Sequence, residues 1–284
     1  MSALEIVGGG FAGLVRAVDE SRRGGRVEYV EPGLRAGGAM VSETFLSPFR
    51  FNLGPSLVAR PPLPSLHVLE PQLLLDVAGT TLSRAALRSG GGSALRAAFG
   101  VLLGIDPAAP DAEARTAAAC AEIDDLVLVA GGNGLAVACL IDELVGAGST
   151  VVEGVGSADT APHHGTGLGT CRLFIGSRGP APEWKALATA VGFSDDASLR
   201  SALDALRAGA ATDPVGFLVS NAHLDANSVD ETLWSAVFQG VLPFGATVSR
   251  DDYVDRVLSA FGIDPAAVIF RLLWLPEDTG EALH

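Results

Sequence analysis

Hydrophobic and polar positions follow a regular order at the start of the chain. The apolar stretch 4–8 is followed by glycines and then by an amphipathic pattern over residues 14–24. A second apolar stretch, 26–30, ends at the acidic residue Glu31. Short apolar runs bounded by glycine predict strands, and apolar positions at helical spacing predict a helix. The pattern therefore predicts a strand, a glycine-rich turn, a helix and a second strand.

Three glycines of this turn, Gly8, Gly10 and Gly13, have the spacing G-x-G-x-x-G. In a dinucleotide site the first allows a tight turn, the second admits a pyrophosphate and the third lets the helix pack on the strand. The helix N-terminus offers free N–H groups to the phosphates. Glu31 is placed to accept hydrogen bonds from ribose hydroxyls and to repel the 2′-phosphate of NADP. The order predicts dinucleotide binding, and the alternative is a glycine-rich turn in an ordinary α/β protein.

A similar order returns in the middle of the chain. Residues 126–130 predict a buried strand, 131–134 a turn, 135–145 a helix and 149–155 another strand. Residues 59–124, which precede this stretch, have the pattern of an inserted segment.

Further helices and strands are predicted on both sides of this stretch. The helices cover residues 94–103, 111–120, 194–208 and 249–261, and the strands cover 171–175 and 215–219. The hexapeptide Gly-Ile-Asp-Pro-Ala-Ala occurs at 104–109 and at 262–267, each time after an apolar helix. Because glycine commonly ends helices, we interpret it as a repeated helix exit and not as a duplicated domain.

Charge and cysteine content narrow the class of protein. The chain has 19 basic and 33 acidic residues, which argues against binding nucleic acid or an anionic membrane. Its three cysteines have no disulfide or zinc spacing, which favours the cytoplasm. The most apolar stretch, 126–141, is too short to span a bilayer, and no signal peptide is recognised. His163 and His164 are adjacent on a polar loop and would point apart, so no metal site is expected.

The residues after Glu31 distinguish between dinucleotides. The sequence reads R-A-G-G-A at 35–39, F-N-L-G-P at 51–55 and G-G-N-G-L at 131–135. With the first turn, these segments resemble the FAD-dependent phytoene desaturase and carotenoid isomerase family, within the amine-oxidase-like flavoproteins. That family carries R-x-G-G-R, F-D-x-G-P and G-G-x-x-x-L at these places. The resemblance covers residues 4–58 and returns at 131–135, and it implies that the cofactor is FAD.

The resemblance also implies which residues hold FAD. The diphosphate is expected on the first glycine turn, the ribose on Glu31 and the adenine beside the strand that ends at Val155. The expected cofactor-binding residues are Gly8, Gly10, Phe11, Ala12, Gly13, Glu31, Arg35, Gly37, Gly38, Gly54 and Val155.

Three features depart from the family pattern. Ala39 stands where R-x-G-G-R has its second arginine, and Asn52 stands where F-D-x-G-P has its aspartate. The G-D-x-x-x-P-G-G segment that covers the flavin end in the family is not found in this sequence. The chain is therefore expected to be a trimmed member of the family.

These observations predict an α/β fold with two parts. Residues 1–58 and 125–180 are expected to form a Rossmann-type FAD-binding domain. Residues 59–124 and 181–284 are expected to form an interleaved α+β substrate domain. No nucleophile–base pair is indicated by spacing, so no catalytic residue is assigned. Tyr29 and Tyr253 are the only tyrosines, which disfavours the two-tyrosine cage common in amine oxidases.

Three functions remain open at this point. The first is an FAD-binding oxidoreductase or isomerase that acts in biosynthesis on an apolar small molecule such as a polyene. The second is a protein with the flavoprotein fold but a non-redox function, such as a cyclase or a binding subunit. The third is one half of a two-chain flavoenzyme. Because the usual flavin cover is missing, the flavin end is expected to be exposed, covered by residues 220–250 or covered by another chain. A second copy or a partner protein is expected to contact residues 268–275 or the region of Trp234.

Overall fold

The structure of the chain is a computed structural model, and it describes residues 3–32, 35–38, 40–89, 93–154, 167–209, 213–224 and 232–279. Within these residues the strands are β1 (Leu4–Val7), β2 (Val27–Glu31), β3 (Ser42–Leu46), β4 (Phe49–Asn52), β5 (Val58–Ala59), β6 (Val68–Leu69), β7 (Leu73–Val77), β8 (Thr80–Ser83), β9 (Leu126–Val129), β10 (Thr150–Glu153), β11 (Leu168–Arg178), β12 (Ala188–Val191), β13 (Gly216–Ser220), β14 (Leu233–Pro243) and β15 (Val268–Trp274). The helices are α1 (Gly10–Arg22), α2 (Arg84–Arg88), α3 (Ser93–Leu102), α4 (Ala112–Ala121), α5 (Asn133–Gly146), α6 (Asp196–Arg207), α7 (Arg250–Ala260) and α8 (Pro276–Thr279).

The chain divides into two compact units. Unit 1 comprises Met1–Glu70, Asp125–Ala161 and His223–Asn227, and unit 2 comprises Pro71–Asp124, Pro162–Ala222 and Ser228–His284. Strand pairing accounts for two of the boundaries, because β5 and β6 pair with β9 in unit 1 while β11 pairs with β14 in unit 2. Residues 59–70 therefore lie with the glycine turn and β11 lies with the second unit, whereas the division expected from the sequence assigned each to the other part.

A parallel three-stranded sheet forms the centre of unit 1, with β2 between β1 and β10. Alternate side chains of these strands, Ile6, Val27, Tyr29 and Val151, lie in one apolar cluster with residues of α1 and α5. Glu28, between two of them, is exposed on the opposite face. The alternating apolar side chains of β2 and the apolar faces of α1 and α5 are therefore buried in the same layer between the sheet and the helices.

Seven strands form one mixed sheet in unit 2, in the order β15-β11-β14-β13-β12-β7-β8. Neighbouring strands are antiparallel except β12 and β7. The α7 helix packs on one face, where the Tyr253 ring lies 6.4 Å from the Phe238 ring and its hydroxyl lies 3.6 Å from Cys171 Sγ. On the opposite face, Gln239 Nε2 donates to the Leu102 carbonyl oxygen at the end of α3, 3.0 Å away. Helices thus pack on both faces, which explains why β13 is buried along its whole length.

The repeated hexapeptide is a repeated helix exit, as interpreted. The glycine has a positive φ in both copies, 82° at Gly104 and 63° at Gly262. In each copy the isoleucine N–H donates to the carbonyl five positions earlier, at 2.9 Å. The aspartate carboxylate accepts from the alanine N–H two positions later, also at 2.9 Å. The same six residues therefore build the same turn after α3 and after α7.

No helix in the described part of the chain is long and apolar enough to cross a membrane. The described residues also contain no group of three or more His, Cys, Asp or Glu side chains arranged to hold a metal ion. His163 and His164 lie outside the described residues.

Candidate dinucleotide-binding site

The turn between β1 and α1 needs glycine at each of its first three positions. Gly8, Gly9 and Gly10 have φ values of 65°, 85° and 53°, a region in which other residues are strained. The third glycine of the motif, Gly13, faces back onto the turn, and a methyl group there would overlap the Gly8 carbonyl oxygen. The motif therefore sets both the turn and the close approach of α1 to β1.

A second glycine segment lies against the first. Gly37 and Gly38 have positive φ values of 85° and 58°. A methyl group on Gly10 would lie 3.5 Å from the Gly37 carbonyl oxygen, and one on Gly38 would lie 3.4 Å from the Gly10 Cα. On its other side Gly37 meets α5, since a methyl group there would lie 2.6 Å from Val137 Cγ2. The structure thus brings together two segments that the sequence singled out separately.

The N-terminus of α1 is open. Its cap is Gly9, which has no side chain to accept a hydrogen bond, and its first turn contains no acidic residue. Among the residues that the structure describes, no acceptor bonds the N–H groups of Gly10, Phe11 and Ala12. Free N–H groups and the positive end of the helix dipole favour an anion at this place.

Glu31 ends β2 as expected and is only 7% exposed. The Tyr29 hydroxyl donates to its Oε2 across 2.6 Å and lies 3.0 Å from the Gly10 carbonyl oxygen. Burial, followed by the hydrogen bond to Glu31, raises the pKa of Tyr29 above its usual value. Tyr29 therefore links the acid to the glycine turn, a role not assigned from the sequence. The available signal was its position two residues before Glu31, on the same face of the strand.

The Arg35–Gly38 segment is held by two carboxylates. Glu153, which ends β10 directly beside Glu31, accepts from the Ala36 N–H at 2.6 Å. Glu43 on β3 pairs with Arg35 at 2.6 Å. Sequence reasoning assigned neither acid to the site. For Glu153 a signal existed, because it lies on the predicted strand 149–155, which was expected to run beside the adenine.

Of the remaining expected site residues, Gly54 is buried in the turn after β4. Val155 lies outside the described residues, and so does Ala39, the replacement of the second motif arginine.

The second predicted glycine turn, before α5, is closed by the protein itself. The helix begins at Asn133, two residues earlier than expected, and Asn52 Oδ1 accepts from its N–H at 3.0 Å. Ser42 Oγ accepts from the Gly134 N–H at 2.9 Å. His223 completes the group: its carbonyl oxygen accepts from the Gly131 N–H at 3.1 Å, and its Nε2 lies 3.3 Å from Asn52 Nδ2. The caps leave little room for a ligand at these N–H groups.

Comparisons with known proteins agree with this architecture. A family model described as an NAD(P)-binding Rossmann-like domain matches residues 6–69. No curated protein matches the chain.

Similar solved structures cover almost the whole chain. Reduced UDP-galactopyranose mutase has a TM-score of 0.59 and 13% identity, covering 98% of this chain and 82% of that one. An oxidoreductase from Methanosarcina mazei has a TM-score of 0.53 and 10% identity, covering 99% and 90%. Putrescine oxidase bound to putrescine has a TM-score of 0.50 and 11% identity, covering 95% and 84%. Identities this low show the fold alone, and they confirm the predicted α/β class with a Rossmann-type unit.

Proposed function

We propose that the chain binds FAD and acts as an oxidoreductase or isomerase on an apolar small molecule. The observation that carries the proposal is the meeting of the two glycine segments at the open N-terminus of α1, with Glu31 at the end of the adjacent strand. In this proposal the N–H groups of the α1 turn hold the diphosphate and Glu31 holds the ribose hydroxyls.

The second glycine segment supports FAD over a nicotinamide dinucleotide. A nicotinamide site needs only the first turn and the acid, whereas here Gly37 and Gly38 bring a second backbone stretch against Gly10. The similar solved structures include a mutase described as reduced and an oxidase, which supports a redox cofactor. The buried carboxylate of Glu31 disfavours a 2′-phosphate.

The residues present fit the proposed cofactor. The cradle consists of backbone at glycine positions, where any side chain would occupy the space beside the turn. Bound FAD supplies the acceptor for hydride transfer, and the chain supplies position and exclusion of water. In unit 1, His223 and Leu224 pack against the second glycine turn.

An apolar substrate is supported by one face of β15 in unit 2. Phe270, Leu272 and Trp274 alternate along this strand, and each remains half-buried. Trp274 meets the fully buried Phe174 edge-on, with ring centroids 5.0 Å apart. Most other apolar side chains between residues 215 and 243 belong to the core of the sheet. The resemblance to phytoene desaturases and carotenoid isomerases supports a polyene as the first substrate to test.

The same strand supports a protein partner. β15 is an edge of the seven-stranded sheet, and Ile269 on it is 43% exposed. Trp234, the other expected contact, is only 9% exposed, so β15 is the better candidate surface. Light scattering should show a dimer or larger species, and a monomer with full turnover would contradict the partner. The free thiols of Cys120, Cys139 and Cys171 support a reducing, cytoplasmic setting.

The cofactor assignment is tested by calorimetric titration of the full chain with FAD, FMN, NAD and NADP. We expect FAD to bind most tightly and NADP least, and the FAD complex to show the visible absorption of a flavin. Reduction of that flavin under anaerobic conditions by an added polyene would support the enzymatic role. A protein that is colourless after incubation with FAD and removal of the free FAD by gel filtration would contradict the proposal and favour a non-redox role.

A further inference from the structure

Arg35, two residues before the second glycine segment, is paired with an acid. Arg35 Nη1 lies 2.6 Å from Glu43 Oε1, and the two side chains are 63% and 37% exposed. Arg35 stands two residues before Gly37, whose carbonyl oxygen lies beside Gly10 at the start of α1. Two residues span at most about 7 Å, so the long Arg35 side chain starts close to that helix N-terminus.

The surroundings of this turn are poor in positive charge. Between Arg26 and Arg50 the sequence contains no basic residue other than Arg35. Two further carboxylates, Glu31 and Glu153, stand side by side at the ends of β2 and β10. Within this stretch, the groups that can attract an anion are backbone N–H groups and the Arg35 guanidinium, which Glu43 neutralises.

We infer that Glu43 determines the affinity of this site for its anionic ligand, because it competes with the ligand diphosphate for Arg35. The inference rests on the proposed function for the identity of the ligand. To contact the diphosphate, the Arg35 guanidinium has to give up or share its ion pair with Glu43. Glu43 is thereby a positioning residue that weakens binding of the anion by holding Arg35.

The expected effect is moderate because both partners of the pair are partly solvated. Exposed ion pairs contribute little to stability, so removing the competing carboxylate should tighten FAD binding by about three- to fivefold. The same change should leave the melting temperature almost unchanged. Arg35→Gln should weaken FAD binding, since the only basic side chain between Arg26 and Arg50 in the sequence is lost.

The test is a double-mutant cycle on the full chain with FAD as the probe. Calorimetry gives the dissociation constants of the wild type, Glu43→Gln, Arg35→Gln and the double variant. The matched control is Glu20→Gln, which removes the same charge and also frees an arginine, because Glu20 pairs with Arg23 at 2.5 Å at the far end of α1. Circular dichroism melting checks each variant, and Glu43→Ser replaces Glu43→Gln if the latter does not fold.

Tighter binding by Glu43→Gln, no change in Glu20→Gln and no gain in the Arg35→Gln background would support the inference. An unchanged dissociation constant in Glu43→Gln would overturn it, and the cofactor assignment would stand. An equal gain with and without Arg35 would also overturn it, because Glu43 would then act by direct repulsion. If only Glu43→Gln bound FAD, both proposals would be supported. Failure of every variant to bind FAD would overturn both.

Discussion

Two glycine-rich turns of unit 1 join a strand to a helix, and they differ in what satisfies the helix N-terminus. At α1 the cap is Gly9, and no described side chain accepts from the first N–H groups. At α5 the first N–H groups are bonded by Asn52 and Ser42, which come from 81 and 92 residues away in the sequence. The first turn is therefore available to an anion, and the second is a joint between segments of the protein.

Glycine content therefore does not by itself make a binding site. Both turns use glycine for backbone reasons, since Gly10 has a φ of 53° and Gly132 a φ of 94°. A ligand is favoured only where the protein leaves the N–H groups unsatisfied.

Gly13→Ala should destroy the first turn. The added methyl group would overlap the Gly8 carbonyl oxygen, so α1 cannot keep its approach to β1. We expect the free energy of unfolding to fall by about 3 kcal/mol and FAD binding to be lost. Gly146→Ala, in α5, is the control, because a methyl group there meets nothing within 4 Å. If the two variants were equally stable in chemical denaturation, the close packing of α1 on β1 at Gly13 would be contradicted.

Glu31→Arg should weaken FAD binding by roughly 100-fold, since the ribose hydroxyls lose a charged acceptor. The control is Glu28→Arg, which makes the same change of charge on the exposed face of the same strand. Glu31→Gln keeps an acceptor and should lose less. The dissociation constants are measured by calorimetry. A Glu31→Arg variant that binds FAD like Glu28→Arg would remove Glu31 from the site.

Asn52→Leu should damage the second turn and not the first. It removes the acceptor of the Asn133 N–H and the partner of the Ser42 hydroxyl. Leaving these groups unsatisfied should lower the free energy of unfolding by about 2 kcal/mol. FAD affinity of the folded protein should fall much less than in Glu31→Arg. Asn52→Asp keeps the accepting oxygen and serves as the control. If the free energy of FAD binding were lost to a greater extent than the free energy of unfolding, the second turn would belong to the binding site.

Tyr29→Phe should have the smallest effect on binding, about a threefold loss of FAD affinity, because Glu31 loses its 2.6 Å hydrogen bond. The variant should also change the response to alkali. Burial and Glu31 raise the pKa of Tyr29 from 10.0, so the folded protein keeps a proton that the unfolded chain releases. The stability of the wild type therefore falls as the pH rises above 10.0, and the variant lacks this contribution. Urea titrations below and above pH 10.0 give the free energy of unfolding of both proteins. If this free energy depends on pH in the same way for the wild type and Tyr29→Phe, the raised pKa of Tyr29 is contradicted.

Local patterns predicted most of unit 1 because its elements follow from neighbouring residues. The alternation around Val27 and Tyr29, the spacing of Gly8 to Gly13 and the acid at residue 31 all lie within one continuous stretch. The sequence did not predict the full length of β11 or β14, whose eleven-residue strands pair along their whole length in unit 2. Their apolar runs are common to buried strands and helices, and only the pairing extends them.

Local sequence was enough to predict the order of elements from β1 to β2 and from β9 to β10, the backbone demands of the glycine turns and the repeated helix exit. The reason is that φ preferences, short hydrogen bonds and hydrophobic period act between residues close in the chain. Tertiary structure decided which helix N-terminus stays open, because Asn52 and Ser42 reach α5 from a distant hairpin. It also decided that Glu153 holds the Arg35–Gly38 segment and that Glu43 holds Arg35. Such contacts depend on how separate strands come together, and no local spacing encodes them.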